Sequence, residues 1–433
     1  MKTSKPTVLL ATTDRWYPTA RLGMALADVG CVVDAVCPAS HPIRLTQAVR
    51  RMHGYNGLFP VTSFERAIRE SNPDLVIPGD DLATRHLHEV YRRESSRGNS
   101  GLEICSLIER SLGSAANFQV VAARNAFMRV ATEEGIRVPR TAVIGNRSDL
   151  HEWISRVGFP TVLKANGTSG GDGVRIVHTV EEAERAFHKL QSPPLLARAV
   201  KRAVIDRDLT LLEPSLFRRR PLVNAQSFVA GHEATSTIFC WRGTVLAALH
   251  FAVLEKMRSA GHATVVRSID HPEMSAAVEK IARRLNLSGF HGLDFMLELE
   301  TGNAYLIEIN PRTTQVGHLV LGKERNLPAS LYEAVTGKSV EPRTKIIKSD
   351  TIALFPQEWK RDEASPFLSS AYHDVPWAEA ALLSDCVSEL SKKITKHSSI
   401  FAHKPQPTHI TSKIARPASN IQAKTYVAEQ TKF

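Results

Sequence analysis

The run Gly292–Arg312, GLDFMLELETGNAYLIEINPR, constrains this chain more than any other segment. It reads as two apolar strands around a turn at Glu300-Thr301-Gly302-Asn303, and so as a hairpin. Side chains alternate along a strand, which sends Glu308 and Asn310 to one face. An antiparallel partner can set Asp294 beside them. Three hard oxygen donors, with Arg312 at the strand end, suit Mg²⁺ shared with phosphate oxygens. Taken alone, such a pattern more often marks a strand with a solvated face. Two other segments reverse that balance.

The first is Gly158–Val177, GFPTVLKANGTSGGDGVRIV, which reads as strand, glycine-rich turn, strand. Gly167, Gly170, Gly171 and Gly173 let the backbone fold tightly and aim N–H groups at an anion. Lys164 supplies a point charge for a phosphate oxygen. No GK[ST] closes the loop and a strand rather than a helix follows, which excludes a Walker loop and a dinucleotide fingerprint. The second is Asn224–Thr235, NAQSFVAGHEAT, a short β-prone stretch ending at Gly231 before a strand that opens on Glu233.

The order of these pieces resembles that of the ATP-grasp superfamily, over roughly residues 5 to 340, and most closely its carbamoyl-phosphate-synthase-like and predicted carboxylate–amine ligase branches. The resemblance implies an α/β architecture: a parallel-sheet, Rossmann-like pre-ATP-grasp domain over residues 1–113, then an ATP-grasp fold of two α+β subdomains over 114–340, with its lid at about 140–222. It implies that Lys164 and Arg124 contact nucleotide phosphates and that Ser169, Gly170, Gly171 and Gly173 belong to the loop closing over them. Gln226, Ser227, Phe228 and Val229 match the hinge that packs on adenine, and Glu233 the acid that binds the ribose. Asp294, Glu308 and Asn310 match the Mg²⁺ ligands, which also accept Mn²⁺, and Arg312 the arginine that stabilises the transferring phosphoryl group. Arg124 stands where many members carry lysine, and Gln226 where many carry an acid. Lys256 and Arg267 are candidates for holding the substrate's carboxylate or phosphate. His318, just past the hairpin, could face the same pocket but reads first as a structural histidine.

The reaction so implied is ATP-dependent ligation of a carboxylate to an amine through an acyl phosphate, with small-molecule substrates, a cytoplasmic location and a homodimer as the family's usual habit. Activation of bicarbonate, or an ATP-binding regulator without catalysis, are the alternatives. No internal repeat of a full synthetase is visible.

Composition agrees. A chain of 433 residues, 43% hydrophobic, can bury a large core. No run of eighteen apolar residues predicts a membrane span. Five scattered cysteines predict free thiols in a reducing compartment. The first hundred residues alternate strand and helix: Val8–Ala11, Tyr17–Asp28, Cys31–Val36, Phe64–Glu70, Leu75–Pro78 and Leu82–Arg93. Thr12, Thr13, Asp14, Gly79, Asp80 and Asp81 fall at strand ends, where turn and cap roles are the first expectation. Glu94–Gly101 reads as a polar linker.

A basic stretch, 198–220, reads as a solvated face. Residues 341–390 read as a packed appendage with a helical run over Trp377–Leu390. Of the formal charge of +11, most sits in residues 391–433, which hold eight Lys/Arg and one acid, Glu429. That composition predicts a flexible tail. With no aromatic-interleaved basic platform, no nucleic-acid partner is expected.

Overall fold

The computed structural model describes residues 5–165, 173–193, 196, 215–218, 220–258, 261–340 and 346–388. Contacts group Met1–Cys386 into one unit and Val387–Phe433 into another. The expected tail, Ser169, Gly170 and Gly171, and most of the basic stretch lie outside the described residues.

Four parallel strands open the chain: β1 (Thr7–Ala11), β2 (Val32–Cys37), β3 (Val49–Gly54) and β4 (Leu75–Pro78), ordered β3-β2-β1-β4. Near-continuous apolar runs such as Val8–Ala11 let both faces be buried, as a parallel sheet requires. Helices α1 (Tyr17–Asp28), α2 (Pro60–Ser71), α3 (Asp81–Ser95) and α4 (Leu102–Leu112) provide the cover. The sequence reading omitted β3 because VRRMHG, on the sheet edge, buries only His53. The expected linker at Glu94–Gly101 is corrected. Glu94 is fully buried at the end of α3, paired with Arg69 and Arg97, and Gly101 packs against its carbonyl.

Helices α5 (Phe118–Ala122) and α6 (Arg124–Glu133) lead into a small antiparallel sheet. It contains β5 (Thr141–Ile144), β6 (Thr161–Ala165), β7 (Val174–Val177) and β8 (Val223–Ser227), ordered β5-β8-β6-β7. Helices α7 (Arg147–Val157) and α8 (Val180–Leu190) bury one face through Leu150, Trp153, Phe187 and Leu190. β8 sits between β5 and β6, so this sheet extends to Ser227 rather than stopping near 222.

The third sheet has seven strands: β9 (Gly231–Trp241), β10 (Thr244–Lys256), β11 (Ala263–Ser268), β12 (Gly289–Glu298), β13 (Ala304–Asn310), β14 (Thr351–Ala353) and β15 (Tyr372–His373). Their order is β13-β12-β9-β10-β11-β14-β15. One face, with Ala234, Leu293 and Phe295, packs under α6 and helix Pro272–Arg284. The other shares a core with the first sheet through Phe239, Leu249, Phe251 and Val266. The appendage therefore extends the large sheet by two strands, and its helical run begins at residue 380 rather than 377.

Where β12 begins, Gly289 has φ +81° and a Cβ there would fall 2.0 Å from the Ser111 carbonyl oxygen. Gly289→Ala is expected to cost roughly 3 kcal/mol, from a left-handed backbone penalty plus overpacking. A thermal melt measures it; a wild-type melting temperature would contradict this packing.

Candidate active site

The hairpin forms as its sequence suggests, with Asp294 opposite Glu308 and Gly292 opposite Asn310. Asn310 Nδ2 donates to Asp294 Oδ2 at 2.9 Å. Across β9, Thr235 lies opposite Asp294 and its hydroxyl donates to Asp294 Oδ1 at 2.8 Å. Two residues back on the same strand face stands Glu233. One sheet face thus carries Glu233, Thr235, Asp294, Glu308 and Asn310 together. Burial pushes the Asp294 carboxyl up to about 6, and the neighbouring Glu308 adds to the rise against the Thr235 and Asn310 hydrogen bonds.

Cations approach from three directions. Arg124, the first residue of α6, donates from Nη2 to Glu308 Oε1 at 2.6 Å. Its buried Nε has no hydrogen-bond partner among the described residues. Arg312 leaves the end of β13 and bonds Asp81 Oδ1 at 3.1 Å and Asn310 Oδ1 at 3.3 Å. Lys164 comes from the small sheet. Burial, aided by Arg124 and opposed by Glu308, Asp294 and Glu233, lowers its ammonium pKa to about 8.

Register explains how Lys164 gets there. Lys164 pairs with Asn224 and Val174, so it shares a face with Val143, Val162 and Ile176. That face is opposite the one covered by α7 and α8, and Val143 and Ile176 are exposed on it. Gly173, at the described end of the glycine-rich segment, accepts from the Ala165 amide at 2.9 Å.

The remaining candidates divide. Gln226 is buried and donates to Thr141 Oγ1 at 3.0 Å, while Ser227 exchanges hydrogen bonds with the Arg140 backbone. Both close the small sheet, leaving half-exposed Phe228 and buried Val229 to lead into β9. Lys256 Nζ lies 2.7 Å from Glu233 Oε1, in a cleft also lined by Gly231, Val253, Arg258 and Met296. Arg267 is not part of this constellation. It is exposed on β11 and aligns through Ala252 and Ala234 with Phe295, on the face opposite Asp294.

The strand-end residues of the first sheet form a cap cluster. Asp80 accepts from Thr12 Oγ1, Thr13 N and Oγ1, Asp14 N and Ala83 N, which consumes the loop's amides internally. Sequence reading missed Thr235 and the Val143–Val162–Ile176 face. Period-two spacing from Glu233 and from Lys164 was the available signal.

Two carboxylates and an amide around Asp294 form a hard-oxygen set, too few for a metal cage by themselves and suited to a cation shared with phosphates. Among the described residues no group of three His, Cys, Asp or Glu could hold a metal alone. Residues 123–324 match the family model for the carbamoyl-phosphate synthase L chain, ATP binding domain. That segment carries the ATP-grasp superfamily's ATP-binding domain.

Curated proteins are similar to parts of the chain. The carbamoyl phosphate synthase large chain of Thermus thermophilus is 22% identical over 299 residues, covering 62% of this chain and 27% of that protein. Acetyl-CoA carboxylase 1 of Oryza sativa subsp. japonica is 26% identical over 211 residues, covering 46% and 8% respectively. The chain therefore spans less than a third of the length of these curated relatives. Among solved structures, N5-carboxyaminoimidazole synthetase from Staphylococcus aureus complexed with ADP superposes with TM-score 0.54 at 16% identity, over 79% of this chain and 80% of that one. The biotin carboxylase domain of Hydrogenobacter thermophilus 2-oxoglutarate carboxylase, a dimer with MgADP, ADP and bicarbonate, does so with TM-score 0.54 at 16% identity, over 78% and 71%. These likenesses show the ATP-grasp fold, a parallel-sheet domain followed by antiparallel sheets. No helix among the described residues is long and apolar enough to cross a membrane.

Proposed function

We propose that this protein is an ATP-dependent carboxylate–amine ligase. A carboxylate oxygen attacks the γ-phosphorus of ATP and ADP leaves. The amine then attacks the carbonyl carbon of the acyl phosphate, inorganic phosphate leaves, and the nitrogen loses a proton. The observation that carries the reading is the Asp294–Glu308–Asn310 face ringed by Arg124, Lys164 and Arg312. A negative polyphosphate with a divalent cation is the ligand that such alternating charge fits.

In this reading Lys164 and Arg124 hold the phosphates, and Arg124 exchanges its present Glu308 contact for them. Asp294, Glu308 and Asn310 hold Mg²⁺, which when bound would neutralise phosphate charge. Arg312 offers its guanidinium to the phosphoryl group in transfer, where a fixed charge needs no reorganisation. Glu233 takes the ribose hydroxyls. Phe228 and Val229, with the exposed Val143 and Ile176, supply apolar surface for adenine. The Ser169–Gly173 loop keeps water from the acyl phosphate. Lys256, beside Glu233, serves the nucleotide end rather than the acyl end.

Purified protein incubated with Mg·ATP and pools of amino, hydroxy and keto acids, with and without amines, tests the proposal by ADP release. Release that needs both a carboxylate and an amine supports ligation. Release with bicarbonate alone would favour the second reading, carboxylation, to which the names of several relatives point.

A further inference from the structure

The loop Pro311–His318 links β13 to the rest of the chain without regular strand or helix. Its first half is tied to the parallel sheet. Thr84 Oγ1 donates to Pro311 O at 2.8 Å, Arg312 bonds Asp81, and Thr313 N donates to Pro78 O at 3.1 Å. Its middle is tied to β11, where Gln315 Nε2 donates to Ala263 O at 3.0 Å. Its far end is tied to the C-terminal segment, where His318 Nε2 lies 2.6 Å from Asp374 Oδ2.

Asp374 follows β15, and its amide donates to Ala353 O at 3.0 Å, so the sheet edge sets its position. Its other carboxylate oxygen accepts from Arg21 of α1. The Asp374 and His318 side chains are 3% and 6% exposed, so one buried carboxylate joins α1, the loop and the appendage. Burial works against the Asp374 charge, yet Arg21 and His318 hold its carboxyl down at about 2. Nε2 donates to the Asp374 carboxylate, which can only accept, while burial works to lower the His318 pKa. The His318 Nδ1 is buried with no hydrogen-bond partner among the described residues, and no polar group of the site bonds it. The His318 ring therefore acts as a tether.

We infer that Asp374 and His318 are positioning residues for Arg312, holding the far end of the loop that presents its guanidinium. The inference rests on the proposed phosphoryl role of Arg312. It gives the appendage a place in catalysis, because a displacement near 1 Å at a reacting centre is enough to cost turnover. Buried Val316 and Leu319 also anchor this stretch, but apolar contacts are non-directional. The hydrogen bond to Asp374 fixes its orientation.

The test compares His318→Leu, which removes the tether, with His318→Gln, whose amide nitrogen can occupy the Nε2 position. Should His318→Leu not accumulate as folded protein, His318→Asn, too short to reach Asp374, takes its place. Three readouts are taken on the full chain: ADP turnover, Mg·ATP affinity by calorimetry, and hydrogen exchange of the 312–318 amides. The tetherless variant is expected to turn over at least about tenfold more slowly with Mg·ATP affinity within about twofold, while the Gln variant stays near wild type. The 312–318 amides of the tetherless variant should exchange at least about tenfold faster than those of the wild type or of His318→Gln.

Exchange requires no turnover, so it decides the tether even where the wild type acts on none of the substrates tried. Unchanged exchange in the tetherless variant overturns the inference. A Gln variant as impaired as the tetherless one also overturns it, since the ring rather than the tether would then be needed.

Discussion

Replacing Glu308 by glutamine, or Asp294 by asparagine, is expected to lower ATP turnover by at least ~10²-fold, the scale of losing one electrostatic contact to a transition state. Neither change should unfold the protein. The two carboxylates face each other across β12 and β13, and burial together with Glu308 already pushes Asp294 up to about 6. Removing one charge relieves that repulsion, although Glu308→Gln also releases Arg124 from its ion pair. Carboxylates kept for folding would behave the other way, with a lower melting temperature and little change in turnover. Assays of ADP release alongside thermal melts separate the two cases. Near-normal turnover in both variants would remove the metal assignment.

Acidification should destabilise the fold steeply between pH 6.5 and 4. His41, His250 and His291 are buried and neutral, with burial lowering their pKa values to about 3, 4 and 4. Each ring is held in a polar contact, and that of His41 needs the neutral form. His41 Nδ1 accepts from the Ile43 amide, His250 bridges Ser236 and Ser275, and His291 Nε2 meets the Ser288 carbonyl. The unfolded chain takes up these protons near pH 6.5, while the folded chain resists until well below. In that window the unfolded state binds more protons, so stability falls as pH falls. By pH 5 each histidine costs roughly 2 kcal/mol, a large share of the stability of an ordinary domain. Asp374 contributes in a different window. Its depressed carboxyl stabilises above the ordinary aspartate range, and that stability is lost only as pH falls toward about 2. Melting temperatures at pH 7.5, 6.5, 5.5 and 5.0 provide the check, and a flat profile would show that these rings are not neutral and buried as described.

The β12–β13 hairpin was legible because its information is local. Alternation places Glu308 and Asn310 on one face, and a four-residue turn returns the chain so that Asp294 meets them. The parallel sheet was legible for a similar reason, since β1, β2 and β4 are largely apolar, with β2 broken only by Asp34. β3 was not, because an edge strand with exposed arginines carries almost no burial signal. Glu94 looked like part of a linker because its burial depends on Arg69, 25 residues away.

Register separates the two residues proposed for the substrate, Lys256 and Arg267. Bulges between Val253 and Glu255 and between Glu255 and Lys256 precede Lys256, which meets Glu233, whereas Arg267 aligns with the opposite face of the sheet. Which face a strand presents depends on the order of its neighbours, and no local pattern reveals that order. The His318–Asp374 pair joins residues 56 apart through the last strand of the sheet. A lone histidine in the sequence gives no sign of it.

In the proposed reaction, ATP phosphorylates a carboxylate oxygen before an amine displaces phosphate. With a carboxylate that supports ADP release, the decisive measurement uses that substrate labelled with ¹⁸O in its carboxyl group and follows the label by mass spectrometry of the released phosphate. Phosphate formed with the amide product is expected to carry one ¹⁸O from the carboxylate, and both products to form at least ~10²-fold more slowly with Glu308→Gln. Amide formed with unlabelled phosphate would contradict acyl-phosphate chemistry at this site.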